Sequence, residues 1–156
     1  MHIRLLAVGE RQPPWVDSAF AEYTARLPRQ WQFRLETVAT ADRRKAATAE
    51  RARQAEADKL LGKITPAEQV ILLDEKGRQL TSRDLSARVD DWQTAGADLA
   101  FIIGGPDGVA ADVHQRANFT WSLSSLTLPH GLARILFAEQ LYRAWSLTTG
   151  HPYHRD

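Results

Sequence analysis

The sequence predicts an α/β protein, with a mostly parallel sheet flanked by helices in one domain over residues 1–156. Three observations predict it. Two near-continuous apolar runs, QVILLD (69–74) and LAFIIGG (99–105), have the composition of strands buried on both faces. Stretches of helical spacing alternate with them along the chain. No linker, repeat or low-complexity tract separates the stretches.

Residues 2–9 read as the first strand, closed by Gly9. Pro13 and Pro14 then precede Val16, Phe20, Tyr23 and Leu27, spaced for one helical face with proline at its start. Trp31, Phe33 and Leu35 alternate with polar residues, which predicts a second strand. Residues 41–62 are alanine-rich and charged, with few large apolar anchors before Leu60 and Leu61, and predict an exposed helix with a mobile entry. Strand 69–74 is followed by EKGRQ, read as a turn. Thr81 and Asp84 have the spacing of a capping box, ahead of the stripe Leu85, Val89 and Trp92. After strand 99–105 come a short helix near 110–117, a strand near 120–124, the loop SLTLPHG and a strong helix over about 132–147. That helix is apolar over so much of its circumference that it must be covered on two sides. A second subunit and tight internal packing satisfy this equally well.

Composition narrows the function. At 44% hydrophobic and 25% charged residues, the chain is composed like a soluble globular protein. No apolar run approaches the ~18 residues of a membrane span, so no membrane association is expected. The first ten residues, MHIRLLAVGE, lack a signal-peptide pattern. The absence of cysteine excludes disulfides, thiolate metal sites and cysteine nucleophiles, and fits a cytoplasmic location. His114 and Asp112 have no third partner at metal-ligand spacing, so no metal is expected. P-loop, dinucleotide-fingerprint and nucleophile-elbow motifs are all missing. The net charge is only +1, yet residues 26–53 carry eight basic side chains against three acids. Such a zone suits either a polyanion or a solvated arginine-rich helix.

Three glycine- or proline-bearing loops follow apolar strands, where open α/β sheets bind ligands. They lie around Leu73 and Asp74, at Gly104 to Gly108, and from Leu123 to Pro129. In the last, Leu123, Leu126 and Leu128 intersperse with Ser124, Ser125 and Thr127, giving apolar side chains beside backbone donors and acceptors, a slot for a flat ring. The chain then ends in TTGHPYHRD, which concentrates two imidazoles, a phenol and a guanidinium.

LLAVGE, LLDEKG, FIIGGPDGV and SLSSLTLPHGLARILFAEQLYRAWSLTTGHPYHRD, in this order over the entire length, resemble the SPOUT-class methyltransferases that modify a pseudouridine in large-subunit ribosomal RNA. The resemblance implies S-adenosylmethionine as methyl donor, ring nitrogen 3 of the pseudouridine as acceptor, a homodimer, and a C-terminal trefoil knot. It places the cofactor on Leu73, Gly104, Leu123, Ser124, Ser125, Leu126, Thr127 and Leu128. One departure is Glu10, where the family often carries lysine. An imide nitrogen must lose its proton before it attacks a sulfonium methyl, so a base or a charge-stabilising donor is required. The terminal motif then implies His154 as base, Arg155 or Arg143 as stabiliser of the developing anion, and Tyr153 as a stacking or donor group. His151 is expected only to cap and pack. The basic zone would meet ribosomal RNA phosphates, in the large subunit or the assembled ribosome. Because cofactor loops do not define the acceptor, another RNA nucleotide, or a non-catalytic RNA-binding assembly factor, stays open as an alternative.

Overall fold

A computed structural model describes residues 1–46 and 48–155; Ala47, within the expected helix 41–62, and the terminal Asp156 lie outside the described residues. Five strands form one parallel sheet in the order β2-β1-β4-β3-β5: β1 Ile3–Val8, β2 Arg34–Val38, β3 Gln69–Gln79, β4 Leu99–Ile103 and β5 Phe119–Ser122. Helices α1 (Pro14–Thr24), α2 (Arg43–Ala46), α3 (Ala49–Gly62), α4 (Ser82–Ala95), α5 (Ala111–Arg116) and α6 (His130–Thr149) connect or cover them. The expected α/β architecture is therefore present.

Strand geometry sends successive side chains to opposite faces. Leu5, Phe101 and Ile71 lie in register across β1, β4 and β3 and feed one core, with Phe20, Trp92 and Phe137 from α1, α4 and α6. Their neighbours Leu6, Ile102 and Leu72 feed the other, against Ala57 and Leu60 of α3 and Val113 of α5. Phe101 is the hub of the first core: its ring centroid lies 4.8 Å from Phe137 and 6.1 Å from Trp92.

Helix α6 lies against both α1 and α4 on the sheet. Phe137, Ala138, Leu141 and Ala144 are fully buried there, and the two alanines permit close approach. Internal packing thus covers most of the wide apolar arc. Leu132 and Leu136 keep 40% and 37% exposure, and Trp15 on α1 keeps 58%.

The Thr81 capping box forms as expected: Asp84 N donates to Thr81 Oγ1 at 3.1 Å and Thr81 N donates to Asp84 Oδ2 at 2.9 Å. Three local expectations are corrected. Trp31 sits in a 3-10 turn, Arg29–Trp31, and the strand begins at Arg34, because Gln32 takes a left-handed φ of 45° that breaks the alternation. The segment 41–62 is two helices, α2 and α3, the second capped by the Thr48 hydroxyl accepting from Arg51 N. EKGRQ is a bulge inside β3 rather than a turn ending it: Leu73 and Arg78 both pair with Trp121 of β5. Gly77 permits this, since a methyl group there would meet the Thr120 carbonyl at 2.7 Å.

Candidate cofactor cleft and C-terminal tail

All five strands point the same way, so their C-terminal ends share one rim. A cleft of about 990 Å³ opens there, lined from the ends of β1, β3, β4 and β5. The three loops singled out in the sequence converge on it. Leu73, Gly104, Leu123, Ser124, Leu126, Thr127 and Leu128 all line the cleft; Ser125 does not.

Each loop is held locally. The β3 bulge turns through Lys76 N donating to Asp74 Oδ1 at 2.8 Å, which puts Asp74, Glu75 and Lys76 on the rim. Thr127 Oγ1 then donates to Glu75 Oε2 at 3.1 Å, tying the third loop to the bulge. Ser124 Oγ accepts from Leu126 N at 2.9 Å, so the turn directs the Leu126 side chain outward, 72% exposed. His114 lines the cleft as well, with Nε2 3.9 Å from Asp74 Oδ2.

The Gly104–Gly108 loop sits directly on protein. A methyl group at Gly105 would lie 2.8 Å from Glu56 Oε1, and one at Gly104 would collide with Val109. Glu56 is buried at 2% exposure and accepts from Ala41 N at 2.9 Å and Arg43 Nη1 at 2.7 Å. Arg43 in turn reaches Asp107, Nη2 to Oδ2, at 2.9 Å. One buried carboxylate on α3 thereby fastens the α2 entry and the glycine loop together. The segment 41–46 is anchored here, where the sequence suggested mobility. Arg43 is also spent on this network and is not the free phosphate contact that the basic zone suggested. Arg29, Arg34, Arg44, Lys45 and Arg51 are exposed and form no ion pair among the described residues.

The cleft also holds a histidine that sequence reasoning passed over. His130, the first residue of α6, lines it beside Gly104. Burial, with the nearby Arg134 charge, pushes its imidazole down to about 4, so it is neutral near pH 7. The LPH-x-L-x-R spacing that puts His130 and Arg134 one helical turn apart was the available signal.

The expected acid–base groups form a second cluster that does not line this cleft. The tail doubles back along α6: Tyr153 packs on Tyr142 at 4.6 Å between centroids, and its hydroxyl donates to Glu139 Oε1 at 2.9 Å. Arg143 Nη2 pairs with the same Glu139 oxygen at 2.7 Å, and its guanidinium lies 5.0 Å from the Tyr153 ring centroid. Burial, then Glu139, raises the Tyr153 phenol well above its usual value, so it acts as a donor and not as a base. His154 is half-buried, with Nδ1 enclosed and without a partner. Arg155 is exposed. His151 accepts from Tyr153 N at 3.2 Å, capping the terminal 3-10 turn, and stacks near Trp145.

Among the described residues no helix is long and apolar enough to cross a membrane, and no group of three His, Asp or Glu side chains could hold a metal ion. The chain is 47% identical to the ribosomal RNA large subunit methyltransferase H of Thioalkalivibrio sulfidiphilus and 45% identical to that of Laribacter hongkongensis, over the whole of both chains in each case. It is 42% identical to the protein of the same name from Hydrogenovibrio crunogenus, again over all of both chains. The family model described as predicted SPOUT methyltransferase matches residues 1–154. With the strand-end cleft, the parallel sheet and this full-length match in agreement, the chain belongs to the SPOUT methyltransferase family.

Proposed function

We propose that this protein methylates ring nitrogen 3 of a pseudouridine in large-subunit ribosomal RNA, using S-adenosylmethionine, as a cytoplasmic homodimer. The observation that carries the reading is the convergence of Leu73, Gly104 and the Leu123–Leu128 loop on one cleft. The cleft suits that donor. Gly104 and Gly105 let this loop lie close on Val109 and Glu56, where any side chain would collide, so the loop presents backbone to the cleft. Leu126 offers unmet apolar surface above it. When bound, the donor supplies an activated sulfonium methyl, so the chain's own work is positioning and removal of the imide proton.

His154 is the residue proposed to take that proton. Arg155 and Arg143 stabilise the negative charge left on the ring, and Tyr153, whose hydroxyl donates to Glu139, serves as the stacking group. In a single chain these groups lie along α6, apart from the cleft. The exposed Trp15, Leu132 and Leu136 on the neighbouring α1 and α6 surfaces suit a partner copy, whose cleft the tail would complete. The exposed cations Arg29, Arg34, Arg44, Lys45 and Arg51 suit RNA phosphates.

The test is incubation of the protein with labelled S-adenosylmethionine and ribosomes lacking the modification, followed by mapping of the labelled position. Label on ring nitrogen 3 of a pseudouridine is expected. Label elsewhere would replace the acceptor, and none, together with no S-adenosylmethionine binding by calorimetry, would leave a binding factor.

A further inference from the structure

The lining of the cleft extends beyond the three cofactor loops and includes Gly9, Arg11, Gln12, Thr40 and Arg53. Directly behind Gly9 stands Arg134, only 2% exposed. Its Nη2 donates to Gly9 O at 2.6 Å, while the buried Nε has no partner. The acid that acts on it is Asp17 of α1, which is exposed and makes no ion pair with it. A buried cation normally comes with a buried anion, because desolvating a lone charge is costly.

Other features give the same sign to this end of the cleft. Helix α6 begins at His130 without a side-chain cap, and α1 begins at Pro14 likewise. The two N-termini meet here: a methyl group on Gly131 would touch Val16 at 2.8 Å and Gln12 Oε1 at 3.2 Å. Uncapped helix N-termini favour anions. Arg11 and Arg53 add positive charge at the rim, where Arg53 Nη1 donates to Asp107 O at 3.4 Å.

We propose that the β1 end of the cleft, above Arg134, is an anion subsite that seats a phosphate of the RNA strand carrying the acceptor nucleotide. This rests on the methyltransferase reading for the identity of the RNA, but the subsite itself does not. Arg134 is a positioning residue in this scheme, acting from behind the Gly9 peptide.

The first experiment is thermal unfolding of the intact protein in inorganic phosphate against chloride of equal ionic strength. Phosphate is expected to raise Tm by about 2–4 °C, saturably. Arg134→Met should lose the saturable shift. Should that variant not fold, Arg134→Lys and the rim pair Arg11→Ala with Arg53→Ala carry the test, each with a diminished shift. A wild-type response no larger in phosphate than in chloride, or a full response in all variants, overturns the subsite.

The second experiment separates free phosphate from RNA as the source. A short uridine-containing RNA hairpin should bind with a log K against log salt slope smaller by about one in Arg134→Met. S-adenosylmethionine affinity, read by calorimetry, should not change. If instead the variant loses S-adenosylmethionine and keeps the hairpin, the cation serves a cofactor carboxylate and the phosphate assignment fails. If wild-type protein shows the phosphate shift but transfers no methyl group to unmodified ribosomes, the methyltransferase reading fails while the subsite stands.

Discussion

Arg43 Nη1 lies 2.7 Å from Glu56 Oε2, and this pair is the bolt that holds the glycine loop of the cleft to helix α3. Glu56 touches Gly105 from below while Arg43 reaches over to Asp107, so both sides of the loop are gripped from one point. Removing Arg43 leaves the Glu56 carboxylate, 2% exposed, without its counter-charge.

Arg43→Ala should therefore cost about 3 kcal/mol of stability, read as a lower urea midpoint. It should also weaken S-adenosylmethionine binding, because the loop loses its anchor. Glu56→Ala should do the same to a smaller extent, since the Arg43 left behind is partly exposed and keeps Asp107. Unchanged stability in both variants would mean that the pair contributes nothing.

Gly105→Ala tests the loop without changing charge. The added methyl would sit 2.8 Å from a carboxylate oxygen, so the loop must lift. An overpacking cost of about 1–3 kcal/mol would appear as about a tenfold or greater loss in cofactor affinity. Gly62→Ala is the control, as its methyl would meet nothing.

Stability should fall on acidification in two stages. His130 has its pKa pushed down to about 4, below the ordinary 6.5. Between those values the unfolded chain takes up a proton that the folded chain refuses, so stability drops as pH falls from 6.5 toward 4, by on the order of 2 kcal/mol. His130→Gln should flatten that part of the curve. At lower pH, Glu68 takes over. Burial alone would raise its carboxyl, but hydrogen bonds from Arg4 and Thr65 hold it below its ordinary 4.5. Its contribution is present above 4.5 and is lost as pH falls through the lower folded value, and Glu68→Gln should remove that step. Urea midpoints measured across the range check both.

Truncation after Gly150 should reduce methylation by more than about 100-fold while leaving cofactor affinity nearly unchanged. Residues 151–155 pack along α6 and line no part of the cleft in their own chain. Full activity in the truncated protein would remove the tail from the mechanism.

Arg44→Ala with Arg51→Ala should weaken ribosome binding most at low salt, lowering the salt slope by about one for each phosphate no longer neutralised. Both side chains are exposed, unlike Arg43. A salt-independent loss would point to misfolding instead.

The β3 bulge shows where sequence reading stops. Alternation and apolar runs identify segments whose environment repeats along the chain, as in QVILLD and LAFIIGG. The continuation of β3 through residues 74–79 depends on backbone pairing with Trp121, far along the chain, and no local pattern encodes that. The same limit hid the break between α2 and α3 and the doubling back of the tail, whose phenol finds Glu139 on the preceding helix.

By itself, the sequence determined the layer architecture, the capping box at Thr81, and the three loops that line the cleft, because each is written in residues close along the chain. Only the tertiary structure decided what those loops rest on. It set a buried glutamate beneath Gly105, put Arg134 behind Gly9 with no ion pair among the described residues, and kept residues 151–155 out of their own chain's cleft. The reason is physical: charge compensation and desolvation depend on what surrounds a group in space, and those neighbours come from distant parts of the chain.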